Sequence, residues 1–134
     1  MGRCNLANMN TENIVALCDV DWGYANKTFK DYPDAKRFKD WRVMFDQMGK
    51  SIDAIMVAPP DHAHAGVTAH AITLGKHCYT QKPLTHSVYE SRLLTRLAQK
   101  CKVATQMGSQ GNSFDWCRQI AEWIQSGVIG DVYE

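Results

Sequence analysis

The run Ala54 to Ala58 is apolar without alternation, the signature of a strand covered on both faces, as in parallel sheets. A Pro59-Pro60 turn follows, then a small-residue helix from Ala63 to Leu74, a stop at Gly75 and a second strand from His77 to Gln81. Together they form a βαβ unit. Upstream, Ile14 to Asp19 reads as a strand. Asp21 caps a helix to about Lys30, ended by Tyr32-Pro33-Asp34, and Ala35 to Phe38 is a short edge strand. Asp40 caps a helix from Trp41 to Met48 whose Trp41, Met44, Phe45 and Met48 share one face, and Gly49 closes it. Downstream, Ser87-Val88-Tyr89-Glu90 is a capping-box pattern opening a helix to about Lys100, with Leu94, Leu97, Ala98 and Cys101 on one side. Val103 to Met107 is the next strand. An amide-rich loop from Gly108 to Ser113 leads to a helix with Cys117, Ile120, Ala121 and Ile124 inward and Gly127 as its stop.

This alternation of strands and helices specifies an α/β fold, an open and mostly parallel doubly wound sheet with right-handed crossovers. In such sheets ligands sit beyond the carboxyl ends of the strands. The Pro59-to-His64 turn and the Gln81-Lys82-Pro83 turn both follow strands, so both belong to that rim. No internal linker, repeat or low-complexity segment divides the chain.

Composition narrows the partners. The 134 residues are 45% hydrophobic and 22% charged with a formal net charge of +1, enough apolar material for one core. No basic run points to nucleic acid, and no long apolar span points to a membrane. The five cysteines, Cys4, Cys18, Cys78, Cys101 and Cys117, are odd in number and scattered, and read as small core residues in a reducing setting.

Several residues are candidates for chemistry. A dinucleotide-binding unit places an acid about 20 residues past its glycines, at the end of the second strand. Gly2 and Asp19 stand in that relation, although a lone glycine reads equally well as a flexible N-terminus. Asp19 can accept both ribose hydroxyls and would oppose a 2′-phosphate, favouring NAD over NADP. Its other reading, a helix cap, is weakened by Asp21, the better cap. Lys82 has restricted backbone freedom because it precedes a proline, so its ammonium is aimed and can orient a substrate hydroxyl or shuttle its proton. An ordinary surface lysine is the plainer account of the local sequence. Asp61, His62 and His64 do not favour a metal, since His-x-His needs strand geometry and this segment turns into a helix. Asp61 is expected to cap the helix beginning at Ala63, and His64 to face the cleft.

Cys18-Asp19-Val20-Asp21, Pro60-Asp61-His62-Ala63-His64, Gly75-Lys76-His77, Gln81-Lys82-Pro83-Leu84 and Gln106-Met107-Gly108-Ser109-Gln110 occur in this order along nearly the whole chain. Together they resemble the N-terminal, Rossmann-type domain of the Gfo/Idh/MocA family of NAD(P)-dependent oxidoreductases. The resemblance implies a catalytic role for Lys82, matching the lysine of the family's Glu-Lys-Pro motif, at the nicotinamide. It implies that Pro59, Pro60, Asp61 and His64 line the dinucleotide, with Gly2, Arg3, Asp19, Gln81, Lys82 and Gln110 completing the cofactor-facing set. Gln81 stands where the family has glutamate. The amide keeps a hydrogen-bonding handle but removes a charge that could hold the nicotinamide ribose or tune the lysine.

Family members begin with a strand and a Gly-x-Gly-x-x-Gly turn, with whose tail Met1-Gly2 aligns, and they continue into a second α/β domain. The expectation is therefore a partial dinucleotide-binding domain over 1–127, lacking its first strand, and the start of a connection over 128–134. Without that strand the segments Ile14 to Asp19 and Ala54 to Ala58 would each expose an edge, so that the isolated chain is expected either to fold poorly or to close the gap by pairing these strands with each other, by dimerising, or by recruiting the tail from Val128 to Glu134. The implied activity of the full-length protein is hydride transfer between NAD, or NADP, and a sugar, polyol or related hydroxyl compound, in a homo-oligomer. The fragment by itself is expected to be inactive. An NAD-dependent glycoside hydrolase and a non-catalytic nucleotide-binding module are the alternatives. The compartment expected is cytoplasmic, or periplasmic if an export signal lies upstream.

Overall fold

The computed structural model describes residues 2–133. The expectations that involve Met1 and Glu134 lie outside the described residues at those two positions. Helix α1 (Gly2–Ala7) is followed by β1 (Ala16–Cys18), α2 (Trp22–Asp31), β2 (Lys36–Phe38) and α3 (Trp41–Met48). Then come β3 (Ala54–Val57), α4 (His64–Thr73), β4 (His77–Gln81), α5 (Val88–Cys101), β5 (Thr105–Gly108) and α6 (Asp115–Gln125). All strand pairings are parallel, as the alternation requires. Their ends are shorter than the apolar runs: β1 is trimmed from Ile14–Asp19, β3 loses Ala58, and β5 begins at Thr105 rather than Val103.

The strands form two groups, β1-β2 and β3-β4-β5. Among the described residues no strand is hydrogen-bonded between β1 and β3, and they do not pair with each other. Residues 128–133 add no strand, and Val128 and Val132 are exposed. In the larger group Val57 lies opposite Thr80, Thr80 opposite Met107, and Gln81 opposite Gly108, so the three strands end almost level.

Local chemistry sets the helix boundaries. The Asp21 carboxylate accepts the Tyr24 N–H at 2.9 Å, and Asp40 accepts the Arg42 N–H at the same distance, each relieving one of the free donors of a first turn. Ser87 and Glu90 make both bonds of the capping box on α5. Gly75 takes φ +74, the left-handed geometry that ends α4 without a Cβ penalty. Gly49 instead remains right-handed at φ −53 and continues into a 3-10 turn, so it does not terminate α3 in the way expected.

Phe38, Met44, Phe45, Met48, Ile52, Ala71, Ile72, Cys78 and Leu94 form the core, between the strands and helices α3, α4 and α5. One polar pair crosses it: Thr68 of α4 and Thr80 of β4 share a hydrogen bond of 2.8 Å, so neither buried hydroxyl is left unpaired.

Two expectations about burial are corrected. Helix α6 buries none of its residues: Ile120 and Ile124 are each 43% exposed, and Ala121 is also exposed. Its apolar stripe exists, but the helix packs mainly on the 110–113 turn and the stripe stays largely open. Of the cysteines only Cys78 is buried, whereas Cys4 and Cys18 are exposed. No helix among the described residues is long and apolar enough to cross a membrane.

Candidate functional site

The level carboxyl ends of β3, β4 and β5 bring three turns to one rim: Ala58 to Asp61, Gln81 to Pro83, and Gly108 to Gln110. The N-terminal end of α1 meets the same rim, since a Cβ built on Gly2 would lie 3.4 Å from that of Ala58. At the end of β1, the Asp19 carboxylate accepts the Asp21 N–H at 2.9 Å through one oxygen, Oδ1. Asp40, two residues past β2, is ion-paired with Arg42 at 3.1 Å, and Asp19 is the acid that ends β1.

Lys82 is exposed and makes no ion pair among the described residues. Pro60 and Asp61 are exposed on the neighbouring turn, and Pro59 is partly buried. The arginine next to Gly2 is turned elsewhere: the Arg3 guanidinium lies 3.5 Å from the Asp31 carboxylate at the end of α2.

Two local expectations at the rim are revised. Asp61 does not cap a helix starting at Ala63. The chain makes a 3-10 turn over Asp61–Ala63 before α4, and backbone carbonyls take the early donors, with Ala63 N–H donating to Pro60 O at 2.8 Å and His64 N–H to Asp61 O. The carboxylate is left exposed. His64 does not face the cleft. It is 1% exposed, with Nδ1 2.6 Å from the Pro83 carbonyl oxygen and Nε2 3.0 Å from that of Pro59. It lies between the turn after β3 and the turn that carries Lys82, with a backbone carbonyl at each ring nitrogen and an N–H for one of them.

Gln81 lies at the centre of the rim, 3% exposed, and neither its Nε2 nor its Oε1 has a hydrogen-bond partner among the described residues. Gly108 makes room for it: a Cβ there would sit 2.8 Å from Gln81 Nε2 and 2.8 Å from the Tyr79 hydroxyl. Gln110 donates through Nε2 to Asn5 Oδ1 at 3.2 Å, and Asn5 Nδ2 is likewise buried and unpartnered. Asn5 and Gly108 were not singled out from the sequence. A lone asparagine on a first helical turn carries no pattern, and the need for glycine at 108 appears only once β5 is set against β4.

The donor set suits a polar, hydroxyl- and amide-bearing ligand: neutral amides, glycine-lined approaches, one lysine, and an acid at a strand end. Among the described residues no three His, Cys, Asp or Glu side chains converge as a metal site.

Comparison with known proteins gives the family. Residues 3–109 match the family model described as "Oxidoreductase family, NAD-binding Rossmann fold". Inositol 2-dehydrogenase of Salmonella paratyphi B is 26% identical over 119 residues, covering 87% of this chain and 35% of that protein. The inositol 2-dehydrogenase/D-chiro-inositol 3-dehydrogenase of Lacticaseibacillus casei is 27% identical over 136 residues, covering 97% and 39%. The chain thus spans little more than a third of the length of these curated relatives. Among solved structures, a 3-ketoreductase from Actinomadura kijaniata in complex with TDP-benzene and NADP superposes with a TM-score of 0.78 at 22% identity, over 89% of this chain and 37% of that one. An oxidoreductase from Agrobacterium radiobacter in complex with NAD+, L-tartaric acid and magnesium gives a TM-score of 0.75 at 18% identity, over 87% and 34%. The chain belongs to the Gfo/Idh/MocA oxidoreductase family, and the domain it carries is that family's NAD-binding Rossmann fold.

Proposed function

We propose that this domain serves an oxidoreductase that transfers hydride between NAD and a hydroxyl-bearing carbon of a sugar or polyol, with Lys82 handling the hydroxyl proton. The observation that carries the reading is the shared rim, where an exposed lysine stands at the end of β4 beside the turns after β3 and β5. The naming of relatives as inositol dehydrogenases supports a cyclic polyol or sugar as the substrate class.

When bound, the nicotinamide supplies the hydride acceptor. The chain's own residues do the rest. In the oxidative direction Lys82 takes the proton from the alcohol oxygen as hydride leaves the carbon. In the reductive direction its ammonium returns that proton to the carbonyl oxygen. Asp19 accepts from the adenosine ribose, and its carboxylate opposes a 2′-phosphate, so NAD is preferred to NADP. Pro59, Pro60 and Asp61 line the dinucleotide from the turn after β3, and Gly2 lets it approach α1. His64 packs against this lining, with its ring nitrogens next to the Pro59 and Pro83 carbonyls and an N–H for one of them.

Asp19→Ala should weaken NAD binding by about 1–3 kcal/mol, the worth of charge-assisted bonds to ribose. In a polyol-oxidation assay Lys82→Ala should lower kcat while leaving NAD affinity nearly intact. NADP binding as tight as NAD, or an unchanged affinity in Asp19→Ala measured by calorimetry, contradicts the assignment of the ribose site. Equal loss of turnover and cofactor affinity in Lys82→Ala would make the lysine a docking residue instead.

A further inference from the structure

We propose that Gln81 reads a primary carboxamide on the bound ligand, the nicotinamide end of the dinucleotide, with Asn5 as a second neutral donor. This rests on the nucleotide-binding reading above. A glutamine that is 3% exposed and pairs neither amide atom is unusual, because buried polar groups are nearly always hydrogen-bonded. The surroundings preserve the amide rather than satisfy it. Thr80, one residue earlier, points to the opposite face of the sheet and bonds to Thr68, so that face is closed to Gln81. Across the ladder, Gly108 stands in register with Gln81, and any Cβ there would collide with the amide at 2.8 Å. Two residues further along, Gln110 occupies Asn5 Oδ1 and turns Asn5 so that its unpartnered atom is a donor, Nδ2.

The unpartnered atoms therefore comprise two N–H donors, Asn5 Nδ2 and Gln81 Nε2, and one acceptor, Gln81 Oε1. A carboxylate would satisfy the donors but set its charge against the Oε1 lone pairs. A cation would find a single acceptor. A primary carboxamide offers a carbonyl to the donors and an N–H to the acceptor, and pairs with the glutamine amide through two bonds. A ribose diol also offers a donor and an acceptor, so it is the competing occupant.

The 134-residue chain is titrated by calorimetry with NAD, with the deamido form in which the carboxamide is a carboxylate, and with ADP-ribose, which lacks the nicotinamide. NAD is expected to bind roughly tenfold or more tighter than the deamido form, the effect of one lost hydrogen bond and an unpaired acceptor. In Gln81→Leu the two should bind alike while ADP-ribose affinity is unchanged. Gln81→Leu should also unfold at the same or a higher temperature, since it removes two unpaired polar atoms, whereas a structural glutamine would give a lower one. Gln81→Met, unbranched and closer in shape, repeats the comparison should leucine disturb β4. Equal binding of NAD and the deamido form by the unsubstituted chain overturns the proposal, as does a preference that survives both substitutions. Loss of ADP-ribose affinity in the variants would assign Gln81 to the ribose diol and also overturn it. Failure of the unsubstituted chain to bind either NAD or ADP-ribose would bring down the nucleotide-binding reading as well, which separates the two failures.

Discussion

Helix α4 completely buries Ala71 and Ile72 between the strands and α5, whereas α6, one residue longer and with the sharper apolar stripe, leaves Ile120 and Ile124 each 43% exposed. Period in the sequence reports which side of a helix is apolar. It does not report whether a partner lies against that side. Burial makes α4 part of the core, because each buried aliphatic side chain contributes about 1.5–3 kcal/mol relative to exposure. Helix α6 gains little of this within the described chain.

The contrast can be broken by paired truncations. Ile72→Ala should destabilise the chain by about 2–5 kcal/mol, the sum of lost transfer energy and residual cavity. Ile120→Ala should change stability by no more than about 0.5 kcal/mol, as for a surface site. Comparable losses at both positions in a denaturant titration would show that α6 is packed in solution after all. A smaller effect sharpens the polar side of the same region. Thr68→Val leaves the Thr80 hydroxyl buried without its partner, and the expected loss is about 1–3 kcal/mol. Thr68→Ser, which keeps a hydroxyl, should recover much of it.

At the start of α5, Ser87→Ala removes one half of the capping box and should cost about 1 kcal/mol, read from the shift of the denaturant midpoint. The remaining effect is a pH dependence. Burial pushes the Cys78 thiol up from the ordinary 9.0 to about 11. The unfolded chain then loses this proton first, so the contribution is intact below pH 9 and declines as pH rises from 9 to 11. Cys78→Ala should flatten that part of the stability profile, and an unchanged slope would remove Cys78 as its source.

Much of this was legible in the sequence because the signals are local. Asp21, Asp40 and Ser87 cap the helices that follow them, and Gly75 supplies the left-handed stop. The parallel sheet followed from apolar runs alternating with helical periods, and the rim followed from the parallel sheet. What failed depended on neighbours distant in the chain. His64 was expected in the cleft, but its ring is captured by the Pro59 and Pro83 carbonyls, the second of them across the βα boundary after β4. Asp61 lost its capping role because a 3-10 turn supplied backbone acceptors first. Cys18 sits in an apolar run yet is exposed, since exposure there depends on what lies beside β1. Gln81 was recognised as a departure from the family's glutamate, but its unpaired burial and the role of Gly108 needed the β4-β5 register.

The central claim is that the carboxyl rim of β3-β4-β5 receives the dinucleotide, and NMR titration of the chain with NAD tests it most directly. The account predicts that the largest shifts fall on the side-chain amides of Gln81, Asn5 and Gln110 and on the backbone amides of Asp61, Lys82 and Ser109. Shifts absent from those positions, or concentrated at Lys50 and Lys76 on the groove beside Leu74, would place the nucleotide elsewhere and contradict it.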